Sequence, residues 1–367
     1  MPTLRNFLEK INISARIAFE EPMSRHTSFR IGGPAEAYVA PRDRESLLKL
    51  LGAARAEGIP VFVLGGGANI LVGDRGIRGL VLDTGLLAAV GIVEEEGSGD
   101  AGAPAGAGEA GAGAAGGRAA AAGEGGGSPR GVLLAAEAGL SVDRLCEEAQ
   151  RRGLAGLEDF YGLPGSVGGA VYMNARCYEV EMADRLAWVE AAKAGTGADQ
   201  GADLGAGSGG GAGAGVAGTA VERRALAPAE WAYKRSPYQA GGPAAGALVL
   251  RAAFRLLPGD PAAIEAAMLA RRADREAKGH YRLPSAGSVF KNDRAIGRPT
   301  GKLLDELGFR GRRVGGALVS EWHANIFVNS GGATAADMRA LIESAQREVR
   351  ARLGLEIEPE VVFVGDF

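Results

Sequence analysis

Three consecutive glycines, Gly65, Gly66 and Gly67, stand at the end of a predicted strand and are followed closely by Asn69. Without Cβ atoms the backbone can take positive φ values and point successive N–H groups at a pyrophosphate, while the Asn69 amide can orient a ribityl or phosphate oxygen. The segment is not a Rossmann fingerprint, because the G-x-G-x-x-G spacing and a long following helix are missing. The alternative is a tight turn between two buried strands.

A second glycine-rich segment, residues 162–170, contains Gly165, Ser166, Gly168 and Gly169. A proline fixes the start of its turn, the glycines permit close approach of a ligand, and the serine adds a hydroxyl donor for a phosphate or flavin edge. Two anion-binding segments in one domain predict a dinucleotide ligand. The alternative is a glycine-rich turn that packs under another strand.

The segment 284–292 offers groups for proton transfer. It combines two hydroxyls, including that of Ser288, with Lys291 and Asn292, a set suited to delivering a proton beside a bound anion. Serine is a poor acid unaided, so this role requires a strongly basic partner such as a carbanion and cations nearby. A capped turn is the alternative interpretation.

Charged residues recur in two further stretches. Lys234 and Arg235 lie between aromatic residues in segment 231–238, which by itself is typical of a solvated turn. Three glutamates, of which Glu360 is the last, precede a predicted terminal strand, where charge is usually only solubilising.

Composition excludes several classes of protein. The 41 basic and 44 acidic side chains give a net charge of -3 without a basic stripe, so nucleic acid is not an expected partner. Cys146 and Cys177 have no CxxC or zinc-like spacing, and the three histidines have no ligand spacing, so no metal site is predicted. No apolar run reaches the ~18–20 residues of a membrane span. We therefore expect a cytoplasmic protein; the oligomeric state stays open.

Strand and helix signals alternate along the chain, which predicts an α+β fold. Asp43 and Ser141 can each cap a helix, and residues 61–64 and 248–256 have the patterns of a buried and a half-buried strand. Further helices are expected at 264–278 and around 338–349. A domain boundary near residue 257 divides the chain into 1–257 and 258–367.

Two low-complexity segments interrupt the first domain. Residues 97–130 and 194–220 are almost wholly Gly, Ala, Ser and isolated acids, so they cannot offset the entropy of ordering a backbone. We predict that both are disordered surface insertions at hairpin tips, and that the remaining 306 residues carry the function.

The motifs, taken together and in order, resemble the UDP-N-acetylenolpyruvoylglucosamine reductase family. The similarity runs from about Arg25 to Gly365, and its form around Ser288 resembles the family's shorter second type. The segments that carry it, besides the two glycine-rich ones and the Ser288 segment, are residues 26–35, 172–175, 301–305, 320–325 and 358–361.

The resemblance implies a two-part FAD-binding domain of the vanillyl-alcohol-oxidase type and a smaller α+β C-terminal substrate domain. The activity it implies is the reduction of UDP-N-acetylglucosamine enolpyruvate to UDP-N-acetylmuramate, with FAD as cofactor and NADPH as co-substrate, in peptidoglycan precursor synthesis. Hydride addition to the enolpyruvyl double bond would leave an enol or carbanion, which is the basic partner that Ser288 needs.

Roles follow position by position from the resemblance. Ser288 would donate the proton, and Glu360 would stabilise or protonate the enolic intermediate, although Glu358 stays open as the acid that faces the substrate. The cofactor-binding residues would be Gly65, Gly66, Gly67, Asn69, Gly165, Ser166, Gly168, Gly169 and Asn174. The substrate-binding residues would be Tyr233, Arg235, Lys291 and Asn292.

One departure from the family pattern concerns the substrate carboxylate. The family usually shows Tyr-Arg-x-Ser, whereas Lys234 stands at the aligned position and Arg235 follows it. Lysine keeps the charge but loses the planar bidentate fork. Either Lys234 acts as a point charge or Arg235 reaches in from a shifted register. Arg176 and Cys177 also depart, since Gly-Ala is typical there.

Two other hypotheses are compatible with parts of the sequence. A different flavin oxidase or dehydrogenase would share the FAD domain but have an unrelated C-terminal half. A catalytically silent nucleotide-binding protein would explain Lys234 and the low-complexity segments. The Ser288 and Glu360 segments favour the reductase over the first. A purified protein that is yellow but does not oxidise NADPH in the presence of substrate would favour the second.

Overall fold

We analysed a computed structural model, which describes residues 4–95, 131–193 and 219–367. The two segments predicted to be disordered insertions lie outside the described residues, apart from Thr219 and Ala220.

In the described part of the chain, helices and strands alternate. The helices are α1 (Leu4–Lys10), α2 (Arg44–Ala56), α3 (Val142–Arg151), α4 (Val167–Tyr172), α5 (Pro261–Ala277), α6 (Thr300–Glu306) and α7 (Ala335–Leu353). The strands up to the second gap are β1 (Ala15–Pro22), β2 (Pro34–Pro41), β3 (Val61–Leu64), β4 (Ile70–Val72), β5 (Ile77–Asp83), β6 (Val90–Val93), β7 (Val132–Glu137), β8 (Leu154–Ala155), β9 (Arg176–Cys177), β10 (Val180–Glu181) and β11 (Leu186–Lys193). The later strands are β12 (Val221–Ala225), β13 (Ala247–Pro258), β14 (Ser285–Ser288), β15 (Arg313–Val314), β16 (Ala317–Val319), β17 (Ile326–Asn329) and β18 (Val362–Val364).

The first lobe is a sheet in the order β1-β2-β5-β3, in which β2, β5 and β3 run parallel. Helix α2 begins after Asp43, whose carboxylate accepts a hydrogen bond of 2.7 Å from the Ser46 N–H. Its apolar side, including Leu47 and Leu51, packs on the sheet and on Leu248 of β13. The first lobe therefore shares a core with the second.

The second lobe is an antiparallel sheet in the order β12-β11-β13-β7-β6, with β8 also paired to β13. Ser141 caps α3, whose buried residues Leu145 and Cys146 pack with Phe254 of β13. Helix α5 contributes Ile264 and Met268 to the same core.

The C-terminal unit is an antiparallel sheet in the order β14-β17-β16-β15, covered by α6 and α7. Its core also takes up Phe29 and Leu71 from the N-terminal part of the chain. The chain then returns to the first lobe, where β18 pairs in parallel with β4. The end of the chain therefore lies beside the segment that follows the three glycines.

Most of the predicted elements are confirmed, including both capped helices, the strands at 61–64 and 248–256, and the two C-terminal helices. The glycine-rich segment 162–170 contains more than a turn, because Ser166 caps the short helix α4. The boundary near 257 stays a prediction. The packing of α5 on the second lobe and of β18 on β4 shows that contacts cross it.

Asp74 joins the first lobe to the C-terminal unit, because its carboxylate accepts hydrogen bonds from the N–H groups of Ala335 (2.7 Å) and Ala336 (2.9 Å) at the start of α7. We expect Asp74→Ala to lower the free energy of unfolding by about 1–2 kcal/mol, since it removes an anion from a helix N-terminus. Urea unfolding would measure this, with Glu265→Ala on the exposed side of α5 as the control. An equal effect of the two substitutions would contradict the prediction.

Candidate active site

A cavity of about 1710 Å³ lies among the two glycine-rich segments, the Ser288 segment and the end of the chain. This exceeds the ~300–1,000 Å³ typical of a site for one small ligand, so two ligands can be accommodated. The predicted residues that line it are Gly65, Gly66, Gly67, Asn69, Gly165, Ser166, Gly168, Gly169, Tyr233, Lys234, Ser288, Asn292 and Glu360.

The two glycine-rich segments pack against each other backbone to backbone. A Cβ atom on Gly66 would lie 2.5 Å from the Gly165 Cα, and one on Gly65 would lie 2.7 Å from the Ser166 Oγ. The Ser166 hydroxyl oxygen accepts a hydrogen bond from the Gly66 N–H at 3.2 Å. Gly67 has a φ of +60° and its Cβ would meet the His26 carbonyl oxygen at 1.9 Å. An added Cβ at Gly66 or Gly67 would overlap neighbouring main chain, and the closely packed main chain that results on the cavity wall is called the glycine floor.

The segments around Ser288 and Glu360 are held together by main-chain hydrogen bonds. The Glu360 N–H donates to the Val289 carbonyl at 2.7 Å, and Phe290 and Pro359 form an antiparallel bridge. The Asn69 side-chain amide donates to the Glu360 carbonyl at 3.0 Å. Asn69 therefore links the first glycine segment to the end of the chain, in addition to lining the cavity.

Asn325 holds the Ser288 segment in place through hydrogen bonds. The sequence did not indicate it as a site residue. Its buried side chain accepts from the Phe290 N–H at 3.0 Å and donates to the Phe290 carbonyl at 2.8 Å. Its own carbonyl accepts from the Val289 N–H at 2.8 Å. The only sequence signal was its place in the segment 320–325 that carries the family resemblance.

Lys234 and Glu360 form an ion pair inside the cavity, with Nζ 2.5 Å from Oε1 and side chains only 12% and 14% exposed. Lys234 lies at the tip of a tight turn, with a φ of +57°, between residues bridged as Ala232 and Arg235. The Asn174 amide donates to the Ala232 carbonyl at 2.9 Å. Elements that are far apart in sequence thus bring a cation and an anion together.

Three of the predicted site residues do not line the cavity. Asn174, expected to bind the cofactor, is fully buried, and its side chain supports the Lys234 turn. Arg235 is exposed outside the cavity, which leaves Lys234 as the cation of this turn that faces inward. The Lys291 Nζ lies 2.5 Å from Glu358 Oε1, and this glutamate is largely exposed. Glu360, not Glu358, lies on the wall.

Cationic and imidazole groups that the sequence did not indicate also line the cavity. Arg275 on α5 is 9% exposed and donates to the Cys177 Sγ at 3.0 Å. Burial raises the pKa of the Cys177 thiol, and Arg275 opposes this effect only in part. Burial likewise lowers the pKa of His280 to about 4, with Arg275 as the next contribution, and lowers the pKa of His323. No motif marks Arg275 or His280, which the packing of α5 brings to the site, whereas His323 lies in the segment 320–325 that carries the family resemblance.

Comparison with known proteins identifies the family. A profile of the UDP-N-acetylenolpyruvoylglucosamine reductase C-terminal domain matches residues 279–364, and a profile of an FAD binding domain matches residues 35–121. The chain is 36% identical over 356 residues to the UDP-N-acetylenolpyruvoylglucosamine reductase of Treponema denticola, covering 96% of this chain and 94% of that protein. It belongs to the UDP-N-acetylenolpyruvoylglucosamine reductase family.

Other relatives agree with this assignment. The chain is 38% identical to the reductase of Agathobacter rectalis, in an alignment that covers 95% of this chain and 94% of that protein. The crystal structure of the enzyme from Thermus caldophilus superposes with a TM-score of 0.64 at 27% identity, covering 96% of this chain and 99% of that one. The predicted α+β fold with a two-part FAD-binding domain is confirmed. So are the predicted class of FAD-dependent oxidoreductase and the role in peptidoglycan precursor synthesis.

The residues present fit FAD. At Gly66 and Gly67 an added Cβ would overlap neighbouring main chain, and Gly165 has a φ of +125° that favours glycine. An added Cβ on Gly169 would meet only the Ser166 hydroxyl oxygen, at 3.5 Å. Within the described ranges, no group of three or more His, Cys, Asp or Glu residues is placed to hold a metal ion. None of the helices described is long and apolar enough to cross a membrane.

The contact between the glycine segments predicts the effect of a single methyl group. Gly66→Ala should push the two segments apart, because its Cβ would lie 2.5 Å from the Gly165 Cα, and we expect loss of bound FAD together with a lower Tm. The matched control is Gly91→Ala in β6, where an added Cβ meets nothing within 4 Å. The flavin absorbance of the two purified proteins measures this, and full flavin content in both would contradict the prediction.

The neutral imidazole of His280 makes stability depend on pH. Its pKa is about 4 in the folded chain against an ordinary value of 6.5, so the unfolded state binds the additional proton between these pH values. The folded state therefore loses stability as the pH falls through this window. We expect His280→Gln to reduce the loss of Tm between pH 7 and pH 5, with a residual part due to His323. An unchanged Tm profile would contradict the assignment.

Proposed function

We propose that this chain catalyses the reaction of its family in the described cavity: the reduction by NADPH of UDP-N-acetylglucosamine enolpyruvate to UDP-N-acetylmuramate. The observation that carries the proposal is the convergence of the glycine floor, Ser288 and the Lys234–Glu360 pair on one cavity. The cavity has room for a dinucleotide and a second ligand of nucleotide-sugar size.

The glycine floor is the proposed FAD site, where main chain without Cβ atoms lets the anionic part of the cofactor approach closely and the Ser166 hydroxyl offers a polar contact. When bound there, FAD supplies the hydride-transfer chemistry, and the protein supplies orientation and charge. Gly65, Gly66, Gly67, Asn69, Gly165, Ser166, Gly168 and Gly169 remain the proposed contacts. Asn174 is proposed instead as a support of the Lys234 turn, through its hydrogen bond to the Ala232 carbonyl.

Ser288 is the proposed proton donor to the substrate carbon. Its position is supported by the fixed strand around it, which bonds to Asn325 on one side and to the Glu360 segment on the other. Glu360 is proposed to stabilise the enolic form, and the paired Lys234 ammonium keeps positive charge beside it in a poorly solvated wall. Proton transfer from a positioned side chain typically contributes about 10²–10⁴-fold to a rate.

The substrate end of the cavity is proposed to lie by Tyr233 and Asn292, which line it. Arg235 and Lys291 do not line the cavity, and we propose that they do not contact the substrate directly. The cytoplasmic location is part of the same proposal, and it is supported by Cys146 and Cys177, both buried and free.

An anaerobic flavin absorbance trace tests this function. We expect NADPH to bleach the flavin of the purified holoenzyme and the enolpyruvyl sugar to restore it. Bleaching without recovery would point to another substrate, and protein without flavin would overturn the proposal.

Ser288→Ala should leave bleaching by NADPH nearly unchanged and slow the recovery by about 10²–10⁴-fold, because only the second half-reaction needs the proton. The control is Ser14→Ala, at an exposed serine outside the cavity. Recovery at the unaltered rate in Ser288→Ala would remove this residue from the mechanism.

A further inference from the structure

The hairpin of β9 and β10 forms part of the cavity wall, with residues 176–179 as its contribution. Its two turn residues, Tyr178 and Glu179, have φ values of +49° and +73°, a region that non-glycine residues rarely adopt. The Tyr178 hydroxyl donates to Asp274 Oδ2 of α5 at 2.6 Å. Such a conformation persists only where the surroundings fix it, and this anchor holds the hairpin against the site.

Arg176, at the base of this hairpin, faces the end of the cavity that contains Lys234. Its Cζ lies 5.5 Å from the centre of the Tyr233 ring, and Tyr233 precedes Lys234 in the tight turn. The Arg176 side chain is only 14% exposed. The Arg176 guanidinium therefore lies on a wall with little access to solvent, beside Tyr233, which is the neighbour of Lys234 in the chain.

The two cations differ in their partners. Lys234 is paired with Glu360, whose side chain is 14% exposed, so that separating them would leave two poorly solvated charges. Arg176 is paired with Glu179, whose side chain is 86% exposed. Exposed carboxylates return to water at little cost, and pairs with them contribute little to stability. Of these two cations, Arg176 is therefore the one that can exchange its carboxylate partner for an anionic ligand.

We propose that Arg176 binds the carboxylate of the enolpyruvyl substrate through its guanidinium fork and releases Glu179 as it does so. The inference rests on the proposed function, which places the reacting end of the substrate by Lys234, Glu360 and Ser288. A planar guanidinium matches a carboxylate with two parallel hydrogen bonds, a geometry that the Lys234 ammonium cannot provide.

Binding titrations of the oxidised holoenzyme, followed by the flavin absorbance change, test this. Two ligands are compared: UDP-N-acetylglucosamine enolpyruvate and UDP-N-acetylglucosamine, which lacks the carboxylate. We expect Arg176→Ala to weaken binding of the first about tenfold or more and to leave binding of the second within about twofold. Arg176→Lys should lie between. The control is Arg347→Ala on α7, whose arginine is exposed and pairs only loosely with Glu343.

Equal weakening of both ligands would overturn the inference, because Arg176 would then act on the diphosphate or on the fold. Unchanged binding of the enolpyruvyl ligand would overturn it as well. If Arg176→Ala does not fold, Glu179→Gln serves instead: it removes the competing carboxylate and should tighten binding of the enolpyruvyl ligand about two- to fivefold, whereas weaker binding would refute the exchange. Failure of the unaltered protein to bind that ligand would refute the proposed function itself.

Discussion

The close packing of Gly65 and Gly66 on Gly165 and Ser166 is the contact on which the rest of the site depends. Main chain meets main chain at distances that admit no Cβ atom, and the Ser166 hydroxyl joins the two segments. One segment follows a strand of the first lobe, and the other precedes a helix that packs on the second. The contact therefore joins the two lobes and places closely packed main chain on the cavity wall.

The end of the chain closes the site from the opposite direction. Strand β18 pairs with β4, directly after the first glycine segment, and Asn69 holds the Glu360 carbonyl. The Glu360 N–H also donates a hydrogen bond to the carbonyl of Val289, the residue that follows Ser288. Because one short segment contacts both the first lobe and the C-terminal unit, a displacement of either would move Glu360. The two parts of the site are thus coupled by main-chain hydrogen bonds and not by long side chains.

Burial determines which side chains of the cavity wall are charged and how they are paired. The Lys234–Glu360 pair sits in a shielded wall, and His280 and His323 are kept neutral by desolvation beside the cations of α5. A neutral imidazole next to Arg275 avoids adding a further positive charge to a poorly solvated region. The Arg275 guanidinium in this wall favours an anionic ligand, which agrees with the phosphorylated and carboxylated substrate of the proposed reaction.

The sequence by itself determined the local elements and the family. The caps at Asp43 and Ser141, the strand periods and the glycine spacing are properties of neighbouring residues, and short-range geometry suffices to interpret them. It also indicated Ser288 and Glu360 as candidates, through the order of motifs along the chain. Helix α4 was missed because glycines that allow a loop are equally compatible with a short capped helix.

Only the tertiary structure decided which side chains face the cavity. Asn174 and Asn69 are both asparagines near glycine segments, yet one is a buried support and the other lines the cavity. Lys234 faces inward and Arg235 outward because a tight turn directs successive side chains apart, and its direction depends on a hydrogen bond from a residue 58 positions away. Arg275 reaches the site through a helix that carries no motif, and Arg176, which the sequence marked only as a departure from the family pattern, reaches it through a hairpin. Long-range contacts of this kind leave no trace in local spacing, so packing alone could reveal them.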